Sequence, residues 1–206
     1  MLIFISFSKN DNISNKNKIF RVLVISNMLG LLLEVAGMFL GSNYKNYQVL
    51  NAIVLRAMLV YFIVWVSVFV IYVMSISDKE NKKIKNYKKI IYLITFIVCC
   101  LVVFLPLYYN VRNGVIIYTS GPAVQVVYTY SLICEIVCLF IMFKNIKNIK
   151  ASNYVSLFAL VSLGTLVFTI QSAKPELILS TSMQTFVTYL VYFTMKKEKN
   201  KKIENK

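Results

Sequence analysis

Five polar side chains of this chain stand inside long apolar runs, where a polar group is rare. Two carry charge and three are amides: Glu34, Arg56, Gln125, Gln171 and Gln184. A polar group at membrane depth is costly unless it is paired or used, so each is a candidate ligand-binding residue. Two interpretations stay open for them. The charged residues could form an ion pair between helices or contact a ligand, and the amides could bridge helices or line a pocket.

A sixth polar residue, Glu135, also lies in an apolar run. It could reach Lys144 or Lys147 near the end of its helix, or it could stay protonated. The remaining reactive side chains in apolar runs are four cysteines, Cys99, Cys100, Cys134 and Cys138. Small apolar helix residues are the favoured interpretation of these cysteines, and we expect neither a disulfide framework nor a metal site.

Catalytic chemistry is restricted by what the chain lacks. It has no histidine, which excludes a zinc–histidine site, a histidine general base and a phosphoacceptor histidine within it. Its six glycines form neither a GxxxxGK nor a GxGxxG pattern, the two common glycine-rich phosphate loops. We therefore expect no enzyme activity and no cofactor from this chain alone.

The elements that must position these residues are membrane-spanning helices. The chain is 58% hydrophobic with a mean hydropathy of +0.67, well above the balance of a soluble domain. Its apolar runs each have the length needed to cross roughly 30 Å of hydrocarbon as a helix. They predict an all-α polytopic bundle of six transmembrane helices, near 19–40, 52–76, 90–108, 118–143, 154–172 and 177–195.

The basic residues predict the orientation of this bundle. All but four of the 23 Lys and Arg residues lie in every second gap between the apolar runs or in the two terminal segments. Positive charge in short loops marks the cytoplasmic side. Both termini and the loops at 77–89 and 144–153 are therefore predicted to be cytoplasmic. A net charge of +15 beside membrane spans favours anionic lipid head groups, not nucleic acid, as the partner.

This orientation places the candidate residues near the outer surface. At 1.5 Å per residue, Glu34 and Arg56 lie roughly 6 to 9 Å below it, and Gln125, Gln171 and Gln184 fall in the outer halves of their helices. A pocket open to the outside is one interpretation, and interhelical hydrogen bonds are the other.

The connections on the outer side are short. Pro175, in the turn 172–176, predicts that spans five and six are antiparallel neighbours. Gly121-Pro122 can delay the start of span four to Ala123, which leaves residues 109–120 as an ordered outer loop.

Several diffuse motifs resemble a known membrane module. They are Phe7-Ser8-Lys9, Asn17-Lys18-Ile19-Phe20, Leu31 to Glu34, Trp65 with Phe69 and Tyr72, Gly121 to Tyr128, Lys144 to Asn148, Gln171 with Pro175, and Thr185 to Thr194. Together they resemble the N-terminal sensor module of a group of sensor histidine kinases from low-GC Gram-positive bacteria. The resemblance covers nearly the whole chain but includes no catalytic signature.

The resemblance implies a domain organisation and partners. In that family one more membrane helix precedes the module, and a dimerisation helix, a phosphoacceptor histidine and an ATP-binding domain follow it. Here residues 1–7 would be the end of the preceding helix, within a short cytoplasmic segment 1–18. The six-helix domain would span 19–195, and 196–206 would be a Lys-rich cytoplasmic tail. The kinase core is not in this sequence, and a homodimer is expected from the family.

Three functions are compatible with these features. The favoured one is a sensory, signal-transducing module of the bacterial plasma membrane, which detects an extracellular or membrane-embedded cue and acts on a cytoplasmic kinase or response regulator. A small transporter or channel subunit would instead line its pathway with Glu34, Arg56 and Glu135. A membrane scaffold without a ligand is the third.

Overall fold

Six helices and one β-hairpin make up the described part of the chain. The computed structural model describes residues 15–77, 82–145, 151–174 and 179–204. Numbered in chain order, the elements are α1 (Asn15–Ser42), α2 (Gln48–Ser77), α3 (Lys82–Phe104), β1 (Tyr108–Arg112), β2 (Val115–Ser120), α4 (Pro122–Lys144), α5 (Ala151–Ala173) and α6 (Ser180–Glu204). The fold is mostly helical, as the apolar runs predict, but the small sheet departs from the all-α prediction.

Four of these helices are long and apolar enough to cross a membrane. Within the described residues they are Lys18–Ser42, Gln48–Ile76, Asn86–Phe104 and Pro122–Lys144. They match the first four predicted spans, and their length and composition support a membrane location. α5 contains a shorter apolar segment, Val161–Gln171. Together α5 and α6 cover most of the last two predicted spans, 154–172 and 177–195.

The connection between α3 and α4 corrects two predicted boundaries. The third and fourth spans were expected to end at 108 and to begin at 118, but α3 ends at Phe104 and α4 begins at Pro122. Pro106, just after α3, has no N–H for a helix to use. Pro122 occupies the first turn of α4, a position that suits proline. Residues 108–120 between them form the hairpin.

A two-residue turn closes this hairpin. Asn113 and Gly114 have φ angles of 53° and 81°, and positive φ at both central residues is what a type I′ turn requires. The strands pair antiparallel from Arg112↔Val115 to Tyr108↔Ser120. Pairing shifts between Asn110↔Tyr118 and Val111↔Ile116, so β2 carries one extra residue. The ordered loop expected from the sequence is therefore a β-hairpin.

α2 lies at the centre of the bundle. It packs on α1, α3 and α4, and 50% of its most apolar window is buried, against 11% for α3. Trp65 is fully buried on α2 and stacks on Phe69, with ring centroids 5.6 Å apart. α5 and α6 pack on each other, and α6 also packs on α1. Every other helix therefore reaches α2 directly or through a neighbour.

The predicted terminal segments are described only in part. Residues 1–14, which include the proposed end of a preceding helix at 1–7, lie outside the described residues. α6 continues as one helix to Glu204, through most of the predicted Lys-rich tail 196–206. One continuous helix thus connects the bundle to this Lys-rich segment.

Candidate functional site: a cavity at the hairpin end

A cavity lies at one end of the bundle, where the hairpin stands. We call this the hairpin end; it is built from the last turns of α1 and α5, the first turns of α2, α4 and α6, and strand β2. The cavity has a volume of about 330 Å³, within the range typical of small-molecule sites. Six elements contribute to its wall, so a molecule bound there would contact nearly the whole bundle.

Asn51, in the first turn of α2, is the clearest sign that this cavity is a binding site. Its side chain has no solvent exposure and lines the cavity, and within the described part of the chain neither its Nδ2 nor its Oδ1 has a hydrogen-bond partner. An unsatisfied buried polar group costs roughly 1 to 3 kcal/mol. A residue of the cavity wall therefore holds an unused donor and an unused acceptor, and both atoms are buried.

Glu34 adds a carboxyl group to the same cavity. It lies on α1 and is only 9% exposed, and it is the one formally charged side chain among the described residues that line the cavity. An ion pair with Arg56, one of the two interpretations of these charges, does not form between these two described residues. Arg56 instead donates through Nε to the carbonyl of Val103, at 3.1 Å, and through Nη2 to that of Leu105, at 3.3 Å.

Arg56 thereby stabilises the C-terminal end of α3. The last carbonyls of a helix have no partner within it, and a cation there also meets the negative end of the helix dipole. The guanidinium extends to the hairpin as well. Burial raises the pKa of the Tyr109 phenol, while the charge of Arg56 and its hydrogen bond to that phenol oppose the rise. Arg56 is a structural link between α2, α3 and β1, outside the lining of the cavity.

Strand β2 forms the roof of the cavity with residues 115 to 119. Two glycines allow its close seating. A Cβ on Gly114 would stand 2.9 Å from Cε of Lys45, in the connection between α1 and α2. Gly121 has φ +113°, and a Cβ there would stand 3.1 Å from the carbonyl oxygen of Pro106. A positive φ is adopted mainly by glycine, so other residues are disfavoured at the connection between β2 and α4.

Two glutamines of the predicted set connect the cavity region to α6. Gln171, at the end of α5, lines the cavity and accepts a hydrogen bond of 3.0 Å from Ser180 Oγ. Gln184 has no exposure and accepts from the Tyr61 hydroxyl, and its own Nε2 has no partner. Tyr61 lines the cavity, so Gln184 lies one side chain behind the wall.

Gly30 positions Tyr61. A Cβ at Gly30 would occupy the space that the Tyr61 ring and hydroxyl fill, so α1 can approach α2 this closely only with glycine at that position. A polar contact also joins α1 to α6, where Asn27 Nδ2 donates to Thr185 Oγ1 at 3.1 Å. Small and polar residues of this kind commonly join helices in membranes.

The other polar residues lie elsewhere. Gln125 is exposed on α4 and does not line the cavity. Glu135, further along α4, fills the space beside Gly164 of α5, where a Cβ would meet its carboxyl group. It borders a smaller cavity of about 20 Å³ that shares Gln171 and three other lining residues with the larger one. Its possible partner Lys147 lies outside the described residues.

A separate polar cluster stands near the middle of the bundle, the hydroxyl network of Ser67, Thr95 and Tyr130. Thr95 Oγ1 and Ser67 Oγ are 2.8 Å apart, and Ser67 Oγ is 2.7 Å from the Tyr130 hydroxyl. Ser67 and Thr95 also donate to the carbonyls of Ile63 and Ile91, each at 2.7 Å. Every member is buried and bonded, and the network joins α2, α3 and α4.

Sequence reasoning missed four of these features. Asn51 lies one residue before the predicted second span and so counted as part of a loop, although α2 begins at Gln48. Tyr61 and the hydroxyl network have no signal in their spacing, because serine, threonine and tyrosine are common in membrane helices. The hairpin did have a signal, the Asn113-Gly114 dipeptide flanked by β-branched and aromatic residues.

Metal chemistry finds no support in the described part of the chain, where no group of three or more His, Cys, Asp or Glu side chains could hold an ion. Its four cysteines are free. Comparisons with protein-family models, with curated proteins and with solved structures find no match to the chain. The cavity itself is therefore the basis for any assignment of function.

Proposed function

We propose that this protein is a membrane sensory module that binds its cue in the cavity at the hairpin end. One observation carries the proposal: Asn51, a fully buried amide with an unused donor and acceptor, lines a cavity of about 330 Å³. Natural proteins rarely leave such a group unpaired without a functional reason. A bound cue would supply the missing partners.

The topology of the proposal is six membrane-crossing helices with both termini in the cytoplasm of a bacterial cell. Lys82 to Lys89 at the start of α3, Lys144 at the end of α4 and the lysines near the end of α6 all lie at the helix ends remote from the hairpin. The positive-inside rule makes that end cytoplasmic and turns the cavity outward.

Thiol labelling tests this topology. Asn113 in the hairpin turn and Asn86 near the start of α3 are both exposed, so each can be replaced by cysteine. In intact cells a membrane-impermeant maleimide should label Asn113→Cys and should label Asn86→Cys only after permeabilisation. The reverse pattern would place the cavity on the cytoplasmic side and contradict the proposal.

Transmission runs through α6. Ser180 and Thr181 in its first turn line the cavity. Gln184 accepts a hydrogen bond from the hydroxyl of Tyr61, which is part of the cavity wall. The same helix continues for 25 residues to Glu204, roughly 37 Å at 1.5 Å per residue. A cue that moves the first turn of α6 would therefore move the cytoplasmic exit of the helix, the kind of small helix shift that switches use.

The output partner follows from the resemblance to sensor histidine kinase modules. In this proposal the module acts on a cytoplasmic kinase or response regulator and works as a homodimer, as members of that family do. The chain senses and transmits, and the phosphoryl chemistry belongs to its partner.

A transporter subunit is the second candidate, because one observation favours it. The smaller cavity shares Phe62, Tyr128, Gln171 and Ser180 with the larger one and reaches Glu135 deeper in the bundle. Polar groups that continue from an outer site toward the inner half are what a transport path requires.

A comparison of chromosomal variants separates the two functions. Asn51→Leu removes the unpaired amide at nearly constant volume, and Gln125→Leu is the matched control because Gln125 is exposed and lines no cavity. At equal expression, a sensor predicts that Asn51→Leu alone changes the transcript levels of a defined set of genes, with no change in solute accumulation. Unchanged transcripts with altered accumulation of a solute would favour the transporter.

A further inference from the structure

The cavity has the charge that a cationic ligand requires. Among the described residues that line it, Glu34 alone carries a formal charge. The nearest cation on α2, Arg56, donates to the carbonyls at the end of α3. A buried carboxylate without a neighbouring cation is costly in a low-dielectric environment. A ligand that contacts Glu34 should therefore supply a positive charge or a hydrogen-bond donor.

Four aromatic residues also line the cavity. They are Tyr61, Phe62, Tyr118 and Tyr128, from α2, β2 and α4. The negative faces of aromatic rings attract ammonium groups, and a carboxylate combined with several rings is the usual chemistry of quaternary ammonium recognition.

Apolar side chains line much of the rest of the cavity, among them Leu55, Met58 and Leu59 on α2, Met38 on α1 and Val127 on α4. Ser42, Thr119, Gln171, Ser180 and Thr181 line it as well. Methionine adapts its shape to irregular alkyl groups. Asn51, with both amide atoms unpaired, completes the set with one donor and one acceptor. A ligand that satisfies all three parts is small, cationic, partly apolar and able to hydrogen-bond.

We propose that the cavity binds an organic ammonium group. Glu34 is its counter-ion, the aromatic rings surround its N-methyl or N-methylene groups, and Asn51 bonds a polar atom next to them. The ammonium can belong to a free amine or to the head group of a membrane lipid, since both present the same chemistry. This inference rests on the proposed function for the role of the cavity and adds the class of ligand.

Binding to the full chain in lipid nanodiscs tests the inference. The discs contain phosphatidylglycerol only, so that no lipid supplies an ammonium, and the probe is hexyltrimethylammonium measured by calorimetry. Choline is compared with its uncharged carbon isostere, 3,3-dimethylbutan-1-ol. Saturable binding of the two cations and at least about tenfold weaker binding of the neutral alcohol are expected, because a desolvated cation–π site discriminates by charge.

Variants assign the charge to one carboxylate. Glu34→Gln keeps the shape and removes the charge, and should weaken hexyltrimethylammonium binding by at least about tenfold. Glu135→Gln makes the same change to a carboxyl group outside the lining of the larger cavity, and should leave affinity within about twofold. Circular dichroism checks that both variants are folded. Equal affinity of Glu34→Gln and the parent protein, or equal binding of choline and its neutral isostere, would overturn the inference.

A second set of discs separates the two sources of the ammonium. If the head group of a lipid is the natural occupant, replacing part of the phosphatidylglycerol by phosphatidylcholine should lower the apparent affinity of the probe. If a free amine is the occupant, phosphatidylcholine should have no effect. Either result supports an ammonium site, and absence of saturable probe binding in discs of phosphatidylglycerol alone refutes it.

The binding assay does not depend on signalling, so the two proposals fail in different ways. If the ammonium probe does not bind but Asn51→Leu changes the transcript set, the ligand class is refuted and the sensor function is retained. Ammonium binding with unchanged transcripts in Asn51→Leu would keep the ligand class and refute the sensor.

Discussion

Two buried polar clusters lie on α2, and they are built in opposite ways. Asn51 and Ser67 are separated by roughly 24 Å along the helix at 1.5 Å per residue. Ser67 shares the hydroxyl network with Thr95 and Tyr130, in which each hydroxyl is bonded. Asn51 lines a cavity, and its side-chain amide has no hydrogen-bond partner among the described residues.

The difference distinguishes a structural cluster from a candidate binding site, in a bundle that exposes many apolar side chains. A satisfied network rigidifies its neighbours and joins helices, and it leaves no room for a ligand. An unsatisfied amide beside a carboxyl group and a cavity is a cost to stability that a ligand can remove. Four buried side-chain polar atoms lack a partner among the described residues, and three of them belong to Asn51 and Gln184, at or just behind the wall of the cavity.

The largest effect is expected from Tyr130→Ala. Tyr130 is 8% exposed and carries the hydroxyl that meets Ser67 and Thr95, so truncation leaves both a void and a broken network. Loss of a large buried ring costs about 3 to 5 kcal/mol, measured as the free energy of unfolding in a mild detergent. Phe140→Ala, on the same helix but 66% exposed, is the control and should cost far less. Equal losses would show that the network contributes nothing.

A smaller effect is expected from Gly30→Ala. The added methyl group displaces the Tyr61 ring and leaves Gln184 with no side-chain partner, which costs roughly 1 to 3 kcal/mol of unfolding free energy. Gly41→Ala is the matched control on the same helix, since a Cβ there has its nearest neighbour at 3.9 Å. A loss in Gly41→Ala as large as that in Gly30→Ala would contradict the close approach of α1 and α2.

Thr95→Val tests the hydroxyl network by itself. It removes one hydroxyl from the network at constant shape and should lower the free energy of unfolding by about 0.6 kcal/mol, with about 1.7 as the upper bound for such bonds in membranes. Because Thr95 does not line the cavity, ligand affinity should stay within about twofold. A large loss of affinity would show that the two clusters are coupled.

The smallest effect is expected from Gln125→Leu. The side chain is exposed on α4, and its removal should change unfolding free energy by less than about 0.5 kcal/mol and leave transcript levels unchanged. A clear change in either would place Gln125 in a site that the monomer does not form, such as a contact between copies.

Part of this arrangement could be predicted from the sequence. Apolar runs and the placement of lysines indicate membrane helices and suggest an outer pocket, and Glu34 and Gln171 do line one cavity. The sequence allows Gln125 either in that pocket or in an interhelical hydrogen bond, because a helix that is apolar all round has no polar face to show its rotation. The buried positions of α4, which include Ala123 and Val127, leave Gln125 on the opposite side.

Two other features could not be predicted for physical reasons. The partners of Arg56 are backbone carbonyls of Val103 and Leu105, and a backbone acceptor has no signature in residue types. Asn51 was missed because the start of α2 lies at Gln48, four residues before the apolar run begins. Helix boundaries are the least certain part of any such prediction, and here the boundary contains the key residue.

The central claim is that Asn51 is kept for a ligand and Thr95 for the fold, and one paired measurement tests it. Thermal unfolding of Asn51→Leu and Thr95→Val is compared with the parent chain in ligand-free phosphatidylglycerol nanodiscs. Replacing an unsatisfied buried amide by an apolar group of similar size should raise or preserve Tm, and breaking a satisfied bond should lower it. A fall in Tm for Asn51→Leu as large as that for Thr95→Val would contradict the account.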